Sequence, residues 1–136
     1  MKIKILSIGV VKKDNDILFR KKPDGSLPYK ETWYIFGGEV GTTEIDPDQA
    51  LILQVKEQAG ITISIIDRIG WDTEIKKDHD GEEKLFIYLD SLCSYVSGEL
   101  KLGTGIEKLE WVPIDQLSKY DIVPPSVTLF KKMGYL

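Results

Sequence analysis

The chain has 136 residues, 42% of them hydrophobic and 29% charged, with a formal net charge of −4. This composition is typical of one soluble globular domain over residues 1–136. The acidic balance argues against a dedicated nucleic-acid-binding surface, and the single cysteine excludes a disulfide scaffold. No apolar run approaches the ~18 residues of a membrane helix and no targeting segment is evident, so we expect a cytoplasmic protein.

The first third of the chain predicts strands. Residues 3–11 are apolar and β-branched, and the turn signal DND precedes a second strand that begins at residue 17. Residues 21–32 are polar, with two prolines and one glycine, and predict a loop. Residues 33–36 (WYIF) predict one short aromatic strand. We expect the lysine pairs at 12–13, 21–22 and 76–77 to lie at solvated strand ends.

A helix is predicted from Asp46 to about Ala59. Asp46 can cap its N-terminus, Pro47 suits the first turn, and Gly60 suits the residue after the last turn. The helix is apolar around much of its circumference, which predicts that it is largely buried. On this reading Leu53 is a core leucine.

The second half predicts further strands over residues 61–71, 84–96 and 107–113. The polar residues 76–83 (KKDHDGEE), which include His79, predict a solvated hairpin tip, and Cys93 is expected to be a small buried hydrophobe. Residues 115–119 suggest a helical turn, and Ser126 is predicted to cap a final helix that ends at Gly134. The order predicts a mixed sheet between helices on both faces, with one central and one C-terminal helix.

The segment WYIFGGEVGTTEIDPDQALILQVKEQAGI (33–61) resembles the signature of the Nudix (MutT-like) hydrolase family. That signature is G, five residues, E, seven residues, then R-E-U-x-E-E-x-G-U, where U is aliphatic. The late segment EKLEWVP (107–113) extends the resemblance over nearly the whole chain. The resemblance implies the α+β Nudix fold and hydrolysis of nucleoside diphosphates linked to another moiety, with Mg²⁺ or Mn²⁺ as cofactor.

The chain departs from the signature in the helix. Counted back from Gly60, the family arginine falls on Leu53, and two of three glutamates fall on Gln54 and Gln58. Only Glu57 remains, so two formal negative charges are lost, although amide oxygens can still coordinate a metal. The resemblance implies metal ligands at Gln54, Glu57, Gln58 and Glu107, with Glu57 and Glu107 as catalytic residues. Glu44, which the family arginine would hold, is expected to lose that partner and, like Gly60, to have a structural role.

The resemblance also places a substrate beside the glycine pair, which implies substrate contacts at Trp33, Tyr34, Gly37 and Gly38. The implied partner is a small nucleotide-like molecule, with no membrane, and the family often forms homodimers. Three functions stay open. The first is a hydrolase with weak or non-standard activity, and the second is a catalytically inactive module that binds a nucleotide-like ligand. The third is an interaction domain without a small ligand.

Overall fold

The computed structural model describes residues 1–23 and 29–136, so the predicted loop over residues 21–32 lies partly outside the described residues. The strands are β1 (Lys2–Lys13), β2 (Asp16–Lys21), β3 (Trp33–Tyr34), β4 (Phe36–Glu39), β5 (Thr62–Lys77), β6 (Glu83–Ser97) and β7 (Lys108–Pro113). The α-helices are α1 (Pro47–Ala59) and α2 (Pro124–Met133), and a short 3-10 helix spans Ile114–Lys119.

The described strands form one mixed sheet in the order β3-β2-β1-β6-β5, with β4 on β1 and β7 on β2. β1 and β6 are parallel, whereas the other pairs are antiparallel. β1 changes neighbours along its length, because it pairs with β4 at Leu6–Gly9 and with β2 at Lys12–Lys13. The predicted mixed sheet is confirmed, and β4 is brought against the centre of β1.

Helix α1 confirms the predicted boundaries. The Asp46 carboxylate accepts hydrogen bonds from the backbone N–H groups of Asp48 (2.9 Å) and Gln49 (3.2 Å). Gly60 ends the helix at φ 77°, a left-handed conformation that favours glycine. These local interactions satisfy backbone groups that the helix itself leaves unpaired at its ends.

Alternate residues of the strands face opposite sides of the sheet, and each face has its own core. The core on the α1 side contains Val11, Leu18, Phe36, Leu51, Val55, Ala59, Ile61, Ile63 and Cys93. The core on the α2 side contains Val10, Ile17, Phe19, Ile35, Val112, Leu117, Ile122, Leu129 and Phe130. Helices on both faces and a buried Cys93 are therefore confirmed, and burial raises the pKa of the Cys93 thiol to about 12.

Three local predictions were wrong. Residues 33–36 form two strands, because β3 pairs with β2 while β4 pairs with β1. The N-cap of α2 is Val123, since Pro124 and Pro125 fit the first turn, where no backbone N–H is needed. Ser126 is instead buried within that turn. Leu53 is 41% exposed, because the buried stripe of α1 follows Ala50, Leu51, Val55 and Ala59.

Candidate functional site

A cavity of about 280 Å³ lies between the sheet and the N-terminal turns of α2. Its floor is formed by alternate residues of three adjacent strands, which point to the same face of the sheet. These residues are Lys4, Leu6 and Ile8 of β1, Phe86, Tyr88 and Asp90 of β6, and Asp72, Glu74 and Lys76 of β5. Residues of β2, β4 and the segment around β3 complete its rim, namely Arg20, Lys22, Tyr29, Tyr34, Ile35 and Gly37.

Arg20 is a buried cation at this rim. Its Nε donates a hydrogen bond to the Ile35 carbonyl oxygen at 3.0 Å, and its guanidinium lies 5.5 Å from the ring centroid of Tyr34. Burial lowers the pKa of Arg20 to about 10, which leaves the side chain charged at neutral pH. Arg20 is thus a fixed positive charge facing the cavity.

Lys22 lies beside Arg20, with Nζ 4.6 Å from the ring centroid of Tyr34. Burial, followed by repulsion from Arg20, Lys76 and Lys4, lowers the pKa of Lys22 to about 8. Within the described part of the chain, Lys22 makes no ion pair with a carboxylate. A cluster of cations without full compensation attracts an anion. The predicted location of Lys22 and Lys76 at solvated strand ends was therefore wrong, since both line the cavity.

Aromatic side chains form much of the remaining wall. Glu74 accepts hydrogen bonds from the hydroxyls of Tyr29 and Tyr88, the latter at 2.7 Å. Nζ of Lys76 lies 3.2 Å from the same carboxylate and 4.3 Å from the Tyr29 ring centroid. The network fixes the orientation of these rings in the cavity wall.

Residues 78–82 form the predicted hairpin tip between β5 and β6, but the prediction that Asp78 is solvated there was wrong. It is only 7% exposed and forms ion pairs with Lys4 at 3.0 Å and Lys84 at 2.9 Å. Although burial opposes ionisation, hydrogen bonds from Lys84, the His79 backbone and Lys4 lower the pKa of Asp78. The two lysines lie on β1 and β6, outside the tip, and their positive charges compensate the buried charge of Asp78. His79, in contrast, is exposed.

A second acidic feature lies in the cavity floor, where Asp90 of β6 forms a hydrogen bond with Asp72 of β5. Asp90 is 3% exposed, and its Oδ2 has no hydrogen-bond partner among the described residues. Burial, followed by the neighbouring Asp72, raises the pKa of Asp90 to about 8. Asp72 forms an ion pair with Lys132 at 3.0 Å. No local pattern indicates this pair, since its members are 18 residues apart on different strands.

The cavity meets helix α1 at Gly37. The backbone N–H of Gly37 donates to Oε1 of Gln54 at 2.5 Å, and Gly37 also lines the cavity. Gly38 lies directly beneath the helix, since a Cβ atom there would be 2.3 Å from the Ala50 carbonyl oxygen. The glycine pair therefore permits close packing of β4 on α1. Gln54 fixes the backbone at the edge of the cavity.

The other two signature positions lie at the C-terminal end of α1. Glu57 is exposed, whereas Oε1 of Gln58 is buried without a hydrogen-bond partner in the described residues. The following loop covers this helix end, because Gly103 N–H donates to the Gln58 carbonyl oxygen at 3.0 Å and Lys101 N–H donates to that of Ala59 at 2.9 Å. Glu57 thus presents a charged oxygen to solvent and Gln58 a buried amide oxygen, and neither residue lines the cavity.

The loop before α1 holds itself without an arginine. Oε1 of Glu44 accepts hydrogen bonds from the backbone N–H groups of Ile45 (3.0 Å) and Asp46 (3.2 Å). Glu44 therefore stabilises the turn that presents the Asp46 cap. The resemblance to the family did not suggest these backbone N–H groups as partners of the Glu44 carboxylate.

Glu107 is exposed and directly precedes β7, where its backbone N–H donates to the Lys21 carbonyl oxygen at 3.1 Å. Across residues 1–23 and 29–136, no three His, Cys, Asp or Glu side chains come together in an arrangement that could hold a metal ion. At the three signature positions of α1 the oxygen ligands are one carboxylate and two amides, and the Gln54 amide oxygen accepts a hydrogen bond from Gly37. This donor set does not fit a metal centre built from several carboxylates.

Of the two aromatic residues predicted to contact substrate, the structure places only Tyr34 in the cavity. Trp33 packs edge-on against Tyr120, with ring centroids 5.3 Å apart, and joins the core on the α2 side. We propose no ligand contact for Trp33. The cavity residues that the sequence reading missed, Arg20 and Asp90 among them, come from strands distant in sequence.

Comparison with known proteins agrees with this geometry. The NUDIX domain family model matches residues 4–133, so the chain belongs to the Nudix family. No curated protein matches the chain. No helix in the described part of the chain is long and apolar enough to cross a membrane.

Several solved structures share the fold. The ORF135 protein of E. coli, at 19% identity and TM-score 0.73, is similar over 98% of this chain and 90% of its own. A MutT NUDIX hydrolase from Burkholderia pseudomallei, also 19% identical, has a TM-score of 0.71 over 97% and 98% of the two chains. An ADP-ribose pyrophosphatase from Streptococcus suis is 20% identical, with a TM-score of 0.57 over 84% and 76%. At these identities the likeness shows the Nudix hydrolase-like fold.

Proposed function

We propose that this chain binds a nucleoside diphosphate linked to another moiety in the cavity, and that its hydrolytic activity is weak or non-standard. The observation that carries the proposal is the cluster of Lys4, Arg20, Lys22 and Lys76 around an aromatic-walled cavity, which Gly37 connects to α1 through its hydrogen bond to Gln54. Nudix proteins act on small nucleotide substrates, and one structural neighbour is named as an ADP-ribose pyrophosphatase.

The charge of the rim supports phosphate binding. Arg20 is already held by the Ile35 carbonyl oxygen through Nε, which leaves its other guanidinium donors for a ligand. Lys22 is partly buried and repelled by its cationic neighbours, so an entering phosphate would relieve this repulsion. The rings of Tyr29, Tyr34 and Tyr88, which all line the cavity, suit the planar part of the same molecule.

The donors on α1 support the second half of the proposal. Efficient metal-assisted hydrolysis needs hard, charged oxygen ligands, and Glu57 is the one carboxylate that the family signature retains on the helix. Gln54 binds the backbone instead, and Gln58 supplies a neutral oxygen. Residual hydrolysis is therefore assigned to Glu57, with Glu107 as the further carboxylate that the resemblance implies.

Ligand binding is tested by titrating ADP-ribose into the protein and following the heat released. We expect Lys22→Gln to weaken the affinity about tenfold, because a charge-assisted hydrogen bond to phosphate is lost. Lys119→Gln removes the same charge from an exposed position in the 3-10 helix and should leave the affinity unchanged. Equal affinities for the natural protein and both variants would contradict phosphate binding at this rim.

Hydrolysis is tested on nucleotide sugars and ADP-ribose with Mg²⁺ or Mn²⁺. We expect slow turnover that Glu57→Gln reduces about 100-fold, the size of effect typical for loss of one acid–base or metal-binding group. Glu83→Gln, an exposed glutamate of β6, serves as the matched control. Turnover that is equal in the natural protein and in Glu57→Gln would exclude Glu57 chemistry and leave the chain as a catalytically inactive binding module.

A further inference from the structure

Asp90 is a buried carboxyl group that phosphate binding does not explain. It is 3% exposed, lines the cavity, and its Oδ2 has no partner among the described residues. A buried oxygen without a hydrogen bond costs free energy unless a ligand or water satisfies it. Because this oxygen belongs to a residue of the cavity wall, a bound ligand can supply the missing donor.

The register of the sheet separates Asp90 from Lys4. Asp90 pairs with Ile8 of β1, whereas Lys4 pairs with Phe86, four residues earlier on β6. Four residues of a strand span about 13 Å. Gly37 of β4 pairs with Ile8 from the other side, so it lies two strands away from Asp90, about 10 Å across the sheet. A ligand that reaches both Gly37 and Asp90 therefore has the length of a nucleoside with its first phosphates.

The pair of Asp72 and Asp90 shares one proton. Lys132 donates to Asp72 at 3.0 Å, which favours the ionised form of Asp72. The proton therefore lies on Asp90 and is donated to Asp72, since two adjacent carboxylates without a proton would repel each other. In this arrangement Oδ2 of Asp90 is a carbonyl-type oxygen that can only accept a hydrogen bond.

The charge at this place excludes the phosphates of a ligand. Asp72 retains its negative charge here, and Lys132 is already paired with it. A phosphate would be repelled, while a neutral planar group with an N–H would complete the hydrogen bonding. Ile8, the strand partner of Asp90, and Tyr88, two residues earlier on β6, line the same cavity, as does the apolar Leu129. These neighbours suit a nucleobase better than a sugar or a phosphate.

We propose that Asp90, positioned by Asp72, recognises the base of the bound nucleotide by accepting a hydrogen bond from a base N–H at Oδ2. The inference rests on the proposed nucleotide-binding function and assigns Asp90 as a specificity-determining residue. Because the oxygen only accepts, the favoured bases carry an amino or ring N–H on the edge that enters the cavity.

The test compares two ligands that differ by one amino group. ADP carries the exocyclic amino group of adenine, whereas purine riboside diphosphate has the same rings, sugar and phosphates but no base N–H. We expect the natural protein to bind ADP about tenfold more tightly in a calorimetric titration, because the analogue leaves Oδ2 unpaired. Asp90→Asn should retain this preference, since its amide can donate to Asp72 and still accept from the base. Asp90→Leu should lose the preference.

The comparison on the natural protein needs no variant, so it stands even if Asp90→Leu does not fold. Equal affinity for ADP and the analogue would overturn the assignment of Asp90 and leave nucleotide binding intact. A preference for ADP that persists in Asp90→Leu would also overturn it. If neither ligand binds while ADP-ribose does, this inference is overturned and the proposed function stands. If ADP-ribose also fails to bind, both are overturned.

Discussion

Replacing Gly38 by alanine is expected to lower the free energy of unfolding by about 3 kcal/mol or more. A Cβ atom at this position would lie 2.3 Å from the Ala50 carbonyl oxygen, 2.5 Å from its carbon and 2.9 Å from the Leu51 nitrogen. All three atoms belong to the backbone of α1, so the whole helix must move to relieve the overlap. That movement would disrupt the packing of Leu51 and Val55 and separate Gln54 from Gly37.

The adjacent glycine provides the matched control. A Cβ atom at Gly37 would meet Cδ1 of Ile8 at 2.7 Å, and the next atom, the Ser7 carbonyl oxygen, is 3.9 Å away. The end of an isoleucine side chain can rotate, so we expect Gly37→Ala to cost about 1 kcal/mol or less. Guanidinium denaturation of the natural protein and both variants measures the difference. Equal losses for the two alanines would show that α1 does not pack on β4 in this way.

The second large effect is a pH dependence of stability that Asp90 imposes. Its pKa is raised from 3.8 to about 8 in the folded protein by burial and by Asp72. The stability that this proton contributes is fully present below pH 3.8 and is lost as the pH rises through about 8. The natural protein should therefore lose roughly 3 kcal/mol of unfolding free energy between pH 5 and pH 8, since the slope is at most about 1.4 kcal/mol per pH unit and falls as the pH approaches about 8.

Other shifted groups leave this interval clear. The lowered pKa values of Asp72 and Asp78 act below pH 3.8, where these carboxyls take up protons. The lowered pKa of Lys22, about 8, changes stability only at and above that value. Asp90→Asn removes the titrating group while keeping its shape, so its stability should be nearly constant from pH 5 to pH 8 and exceed that of the natural protein at pH 8.

Thermal unfolding at half-unit steps of pH measures this effect. Asp115→Asn, at an exposed carboxylate of the 3-10 helix, should follow the curve of the natural protein. If Asp90→Asn and the natural protein show parallel curves, Asp90 is ionised in the folded state. The inference that Asp72 and Asp90 share one proton would then be wrong.

The sequence by itself determined the features that depend on interactions between residues close in the chain. Asp46, Pro47 and Gly60 define the ends of α1 because capping involves backbone groups within one helical turn. Apolar, β-branched runs between turn signals indicated the strands. The spacing from Gly60, set against the Nudix signature, implied that Gln54 and Gln58 lie where the family has glutamates. The resemblance to the Nudix signature then supplied the arrangement of the elements, which the structure and the family match confirm.

Only the tertiary structure decided which side chains line the cavity between the sheet and α2. Lys4 meets Asp78 across 74 residues because β1 and β6 run parallel, and Asp90 meets Asp72 because β5 and β6 are neighbours. The charge state of such groups depends on burial and on partners from other strands, neither of which is encoded in local spacing. For the same reason Leu53 is exposed and Asp78 buried, each against its local pattern. The helix could be predicted from neighbouring residues, whereas the cavity is a product of strand pairing.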